Sequence, residues 1–181
     1  NPMGQLEVTD RYDVGSLNVH GKVTYTLLDG LFLSAFGNYT RLNLDHKRYV
    51  PNDIQQGRIN GNGWAYIKNI KRTDLMGNLQ LTYTKDFGKH HIDALALMEG
   101  QQYKSFENMG QAYFGYNNMQ SGANVSWGDV TSEAKEYKLM SYMARLNYMF
   151  ADKYIATVNL RTDGSSKLGK GHKWGWFPSA S

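Results

Sequence analysis

The sequence predicts an all-β chain: an antiparallel up-and-down meander of about seven strands, laid out as part of a large transmembrane β-barrel. Three observations predict it. Apolar and polar residues alternate over segments of about ten residues, the period of strands whose side chains point by turns to opposite faces. No stretch carries the periodicity of an amphipathic helix. Short turns at 28–30, 86–89 and 151–152 also alternate strictly with long connections at 42–72, 104–136 and 164–173. Short turns at one end and long loops at the other are the layout of an outer-membrane barrel, whose short turns face the periplasm.

Residues 1–14 show no clear period and read as a loop. The first strand is LNVHGKVTYTL, with Leu17, Val19, Gly21, Val23, Tyr25 and Leu27 on one face and Asn18, His20, Lys22, Thr24 and Thr26 on the other. Asp29-Gly30 supplies hairpin chemistry, and Leu31, Leu33, Ala35, Gly37 and Tyr39 mark the returning strand to Arg41. The polar, Asn/Gly-rich stretch 42–72 reads as a loop, with extended structure around Trp64–Ile70. Leu75, Gly77, Leu79, Leu81 and Tyr83 begin the next hairpin, which turns at 86–89 and returns from His91 to Tyr103. After the loop 104–136, Met140, Tyr142, Ala144, Leu146, Tyr148 and Phe150 oppose Ser141, Arg145 and Asn147. Ala151-Asp152 then turns into a strand with Tyr154, Ala156, Val158 and Leu160 on one face and Ile155, Thr157, Asn159, Arg161 and Asp163 on the other. The last strand starts at Lys173, and Pro178, which cannot donate to a ladder, marks its end or a change of direction.

Composition excludes more than it assigns. The net charge is +4, from 20 basic and 16 acidic residues, and the cations are scattered, without the basic stripe of a nucleic-acid binder. No cysteine is present, which removes disulfide scaffolds and Cys-ligated zinc. No segment approaches the ~18 consecutive apolar residues of a membrane helix, but a barrel strand needs only ~10 residues of alternating polarity. Aromatic residues number 13 Tyr, 7 Phe and 4 Trp, many near the ends of alternating segments, where membrane girdles would place them.

Enzymatic chemistry finds no foothold. Gly164 to Lys170 fits GxxxxGK, but Gly171 stands where a phosphate-binding loop carries Ser or Thr, and no helix follows. His90 and His91 are adjacent, so a strand sends them to opposite faces. Asp93 and Glu99 share a face, yet six residues of strand separate them by about 20 Å, too far for paired-carboxylate hydrolysis. No nucleophile signature, metal site or cofactor site is expected. Arg145, Arg161 and Asp163 share the polar face, where Arg145 or Arg161 is placed to pair with Asp163. The aromatic residues Trp64, Tyr66, Tyr113, Phe114, Tyr116 and Trp127 are the candidates for ligand or partner contact in long loops, because sugar rings stack on aromatic faces.

The C-terminal part carries a resemblance. SYMARLNYMFADKYIATVNLR followed by RTDGSSKLGKGHKWGWFPSAS resembles the SusC/RagA-type TonB-dependent transporters, the large outer-membrane β-barrels of Bacteroidetes. The motif residues are Arg161, Asp163, Gly164, Ser165 and Ser166, then Gly175, Phe177, Pro178 and Ser179, with Tyr142, Arg145, Leu146, Tyr148 and Tyr154 before them. The resemblance implies that 1–181 is a partial barrel domain, with plug, TonB box and remaining strands absent. It further implies import of oligosaccharides or peptides across the outer membrane of a Gram-negative bacterium. Its implied partners are a SusD-like surface lipoprotein, TonB and outer-membrane lipid. Arg145, Arg161 and Asp163 would then line the lumen and face the plug. The alternative expectation is a soluble β-sandwich or adhesin-type module that binds carbohydrate or protein. Its polar face would meet water and its apolar face a second sheet.

Overall fold

In the computed structural model of the chain, the described residues are 8–52, 54, 55, 57, 58, 63–114, 125–169, 171 and 173–181, with the backbone alone at 114 and 125–127. They form seven strands: β1 Thr9–Leu28, β2 Leu31–Val50, β3 Gly63–Phe87, β4 His90–Phe114, β5 Val125–Phe150, β6 Tyr154–Ser165 and β7 Trp174–Ala180. They lie in one sheet whose spatial order is the chain order, so the predicted meander is the observed topology. No helix occurs among the described residues.

The strands outrun the alternation that predicts them. Residues 9–14, read as a loop, open β1. β2 continues to Val50 and β3 starts at Gly63, so the connection predicted over 42–72 shrinks to 51–62. In the same way β4 reaches Phe114 and β5 begins at Val125, which reduces 104–136 to 115–124. The reason is chemical: in these extensions charged residues interrupt the apolar faces, with His46 and Arg48 on the face of Leu44 and Val50 and Lys68 on the face of Tyr66 and Ile70, so no clean apolar period emerges. Their cross-strand neighbours are polar pairs instead, such as Asp10 with His46 at 2.7 Å and Lys68 with Glu107. Such pairs stabilise a sheet as apolar ones do.

The short turns keep their predicted places. Gly30 has φ +77° and its carbonyl accepts from the Thr84 amide at 2.8 Å, while Asp29 takes the Lys85 ammonium at 2.7 Å. That contact holds the Asp29 carboxyl below the usual carboxylate range. Gly88, at φ +62°, turns β3 into β4. Between β5 and β6, Ala151 and Asp152 both adopt positive φ, 51° and 55°, and the Lys153 amide donates to the Phe150 carbonyl at 3.1 Å. Both central residues are left-handed, the geometry that suits the twist of a hairpin.

The register sorts side chains by face. Leu146 lies opposite Val158, and Ala144 opposite Leu160; between them Arg145 faces Asn159, and further along Ser141 faces Asp163. On the far side of β6, Trp176 pairs with Thr162 and Pro178 with Leu160, while Phe177 pairs with Arg161 and Ser179 with Asn159. Pro178 therefore does not end its strand. Ser181 and Thr157 exchange both backbone hydrogen bonds, at 3.0 and 2.8 Å. The alternation of an antiparallel ladder then puts residue 178 at a non-hydrogen-bonded position towards β6, where a missing N–H costs nothing.

The chain divides into two compact units, one of Asn1–Leu17, Arg41–Thr73 and Lys104–Lys135, the other of Asn18–Thr40, Asp74–Tyr103 and Glu136–Ser181. The first contains Val50, Ala65 and Ile70, the buried hydrophobic residues among those described. In the second, Val23, Leu28, Leu75, Leu79, Leu146 and Trp176 are all exposed. Covering such a side chain contributes about 1.5–3 kcal/mol, and here nothing in the described sheet covers them.

Candidate functional site

The first candidate site grows out of the alternation of β6. Arg161 and Asp163 are two residues apart, so they project from the same face. Arg161 Nε donates to both carboxylate oxygens of Asp163, at 2.9 and 2.8 Å, and its Nη2 lies 3.4 Å from Ser141 Oγ on β5. Glu99, Ser141, Arg161, Asp163, Leu168 and Phe177 are among the residues around a cavity of about 320 Å³. Arg145 is not part of that pairing. Its Nε donates to Asn159 Oδ1 at 2.7 Å, and Asn159 in turn donates to Ser179 Oγ at 3.3 Å. The polar face of β5, β6 and β7 is thus a ladder of side-chain hydrogen bonds.

The two motif glycines make room for rings. A Cβ on Gly164 would sit 3.0 Å from the indole of Trp174, its partner across β6 and β7. A Cβ on Gly175 would sit 3.0 Å from the ring of Phe177. Ser165 and Ser166 hold the following turn: Ser166 Oγ accepts from the Lys138 amide at 2.8 Å, and Ser165 Oγ accepts from the Lys167 amide at 3.3 Å. The spacing of RxDGSS and GxFPS therefore encodes an ion pair on one face, ring-over-glycine packing, and a serine-pinned turn.

The second candidate site lies in the first unit. Trp64 and Tyr66 stand on β3 and Tyr113 on β4, so these aromatics are strand residues rather than loop residues. Phe114 and Trp127 also belong to strands, but their side chains, and Tyr116 altogether, lie outside the described residues. Trp64 and Tyr66 share a pocket of about 530 Å³ with Tyr12, His46, Arg48 and Lys68. Tyr12 stacks on His46 at 3.8 Å, His46 meets Tyr66 edge-on at 5.1 Å, and the Arg48 guanidinium lies 5.5 Å over the Trp64 ring. Arg48 Nε is buried without a hydrogen-bond partner, 3.8 Å from Asp10. Lys68 is held by Glu107, and that contact keeps the Glu107 carboxyl below its ordinary range. Sequence reasoning overlooked Tyr12, His46, Arg48 and Lys68. The signal was present, since His46 and Arg48, like Trp64, Tyr66 and Lys68, recur at every second position.

His90 and His91 serve separate partners, the Tyr148 hydroxyl and the Asp86 carboxylate, each at 2.6 Å. Among the described residues no group of three or more His, Asp or Glu side chains is placed to hold a metal ion.

A single in-order meander with one apolar and one polar face is the layout shared by the walls of transmembrane β-barrels. No family model matches the chain. Over 184 residues it is 32% identical to the TonB-dependent receptor P3 of Formosa agariphila, which covers 97% of this chain and 18% of that protein. Over 119 residues it is 32% identical to the TonB-dependent receptor SusC of Bacteroides thetaiotaomicron, covering 65% of this chain and 12% of that one. The structure of the RagAB peptide transporter matches with a TM-score of 0.85 at 19% identity, over 99% of this chain and 20% of its own. The RagAB importer in its open-open state gives a TM-score of 0.77 at 21% identity, over 99% of this chain and 20% of that one. The chain is a barrel segment of the SusC/RagA-like TonB-dependent receptors, a class of outer-membrane β-barrel proteins. These relatives are receptors and transporters, not enzymes.

Proposed function

We propose that the chain forms part of the wall of an outer-membrane importer that takes up oligosaccharides or peptides with energy from TonB. In this reading 1–181 is a portion of the barrel domain, and the remaining strands, the plug and the TonB box belong to the rest of the polypeptide. A SusD-like surface lipoprotein caps the barrel over the long connections. The observation that carries the reading is the uncovered apolar face, with Val23, Leu27, Leu75, Leu79 and Leu146 all exposed on a single sheet. Lipid covers such a face at no cost in unpaired backbone, provided the edge strands find partners. A β-sandwich would stack a second sheet there, and among the described residues all strands belong to one.

Arg145, Arg161 and Asp163 then line the lumen, with the Arg161–Asp163 pair facing the plug. The pocket of Trp64, Tyr66, Tyr12 and Arg48 offers ring faces and a guanidinium donor to passing substrate, the chemistry that holds sugars and peptide carbonyls alike. The test uses the full-length parent protein in its own cells. It should fractionate with the outer membrane, migrate differently before and after boiling, and co-purify with a surface lipoprotein. Loss of TonB should abolish uptake. A parent found in the soluble fraction would end the proposal.

A further inference from the structure

We propose that a groove on the apolar face of the second unit holds an acyl chain of a phosphorylated glycolipid of the outer leaflet, with Lys138 and Lys173 on its phosphate. The proposal rests on the barrel-wall reading. The groove encloses about 900 Å³ and runs across β2 to β7, with Gly37, Gly77, Gly100 and Gly164 along it and Leu75, Met98 and Trp174 among its apolar lining.

Three of those glycines are not required by packing. A Cβ at Gly37 would meet nothing within 4 Å, one at Gly77 only the Phe36 carbonyl oxygen at 3.6 Å, and one at Gly100 the Met140 sulfur at 3.5 Å. A side chain would fit at each, so the space stands open for something other than the protein. An alkyl chain filling it gains about 0.8 kcal/mol per buried methylene against water. Lipid already covers the rest of the face, so what distinguishes this groove is its charged end.

On the apolar face of β5 the column Tyr142, Met140 gives way to Lys138, a step from apolar to cationic in two residues. Lys173 enters from the start of β7. One turn fixes both backbones. Ser166 N donates to the Lys138 carbonyl at 2.9 Å, Lys138 N donates to Ser166 Oγ at 2.8 Å, and Ser165 N donates to the Lys173 carbonyl at 3.0 Å. Both lysines line the groove, both are exposed, and neither makes an ion pair among the described residues. Glu136, the next acidic residue along β5, accepts from Gln102 Nε2 at 2.6 Å. Trp174 stacks on Tyr142 at 5.9 Å, which sets an amphipathic ring beside the cations at the depth where headgroups begin. The cations adjoin the connection 166–173, a long one and hence external in the barrel reading, so the occupant belongs to the outer leaflet.

The test takes the full-length parent, purified from outer membranes in mild detergent and incubated with diphosphoryl lipid A, and counts retained lipid by native mass spectrometry. Wild type should keep one lipid A per chain in preference to phosphatidylcholine. The double substitution K138A/K173A should lower retention roughly 30-fold, from about 1 kcal/mol for each lysine at an anionic surface. Gly77→Leu, which fills the groove and leaves both lysines alone, should lower it as well. Equal retention by wild type and K138A/K173A, a preference for phosphatidylcholine, or a lipid-free dimer occupying the face would each overturn the proposal. Fractionation of the same cells separates the two readings. An outer-membrane parent that retains no lipid A refutes the glycolipid site alone, whereas a soluble parent refutes the barrel wall with it.

Discussion

Replacing Gly30 with alanine separates backbone strain from collision, because Gly88 provides an internal control. Both glycines turn a hairpin with positive φ, +77° and +62°. At Gly88 an added Cβ meets nothing within 4 Å, so Gly88→Ala should cost only the left-handed penalty of about 1 kcal/mol. At Gly30 the same atom would stand 2.1 Å from the Thr84 carbonyl oxygen, far inside contact distance. The turn must move, and the 2.8 Å bond from the Thr84 amide to the Gly30 carbonyl goes with it, a further loss of about 1 kcal/mol. Displacement of the Asp29–Lys85 pair adds little, since exposed pairs contribute at most about 1 kcal/mol. Gly30→Ala should therefore cost about 2–3 kcal/mol, at least twice the Gly88→Ala penalty. The assay is the urea midpoint of the full-length protein in detergent micelles, with both variants measured at the same denaturant slope. Equal shifts for the two variants would refute the argument, because they would mean that the contact with Thr84 does not constrain the turn.

Gly164→Val should destabilise by about 1–3 kcal/mol through overpacking against the indole of Trp174, and combining it with Trp174→Ala should recover part of the loss in the same unfolding assay. Asp163→Asn should change stability by less than about 1 kcal/mol, because Arg161 and Asp163 are 45% and 37% exposed, and the same unfolding assay checks it. Rebuilding the Ala151-Asp152 turn as Asn-Gly should raise the unfolding free energy by about 1 kcal/mol, read as a higher urea midpoint at unchanged slope, since both positions already hold positive φ. The Glu107 carboxyl should titrate below its ordinary value, seen in the chemical shifts of isotope-labelled glutamate, and Lys68→Met should return it upward. A depressed folded-state value means that the pair contributes above the ordinary carboxylate range and is lost as pH falls through the folded value.

The sequence made the second unit legible because one face of each strand there is apolar. Leu75, Gly77, Leu79 and Leu81 announce β3, and Tyr154, Ala156, Val158 and Leu160 announce β6, each at every second position. The first unit was hidden for the opposite reason. His46, Arg48 and Lys68 alternate just as strictly, but they share their faces with Val50 and Ile70, and that mixture blurs the contrast a hydropathy period detects. Pairing across the sheet supplies what the single strand lacks, and Asp10 with His46 is visible only once β1 lies beside β2. Within the candidate site, the Arg161–Asp163 pair was within reach of spacing alone. The stack of Tyr12 on His46 was not, because 34 residues separate the two and only the register brings them together.

The in-order sheet has a consequence for how the chain assembles. Every strand finds its partner next to itself in sequence, and the links are as short as the two residues between Leu28 and Leu31. Closing so small a loop sacrifices little chain entropy, and the sacrifice grows only with the logarithm of loop length. Hairpins can then form one after another, each offering its free edge as the template for the next strand. β1 and β7 are the edges left over among the described residues, and any closed barrel that includes them must seal by at least one pairing distant in sequence. The slow step of maturation should be that seam, and substitutions in the hairpin turns should alter the rate of zipping while leaving the rate of sealing unchanged.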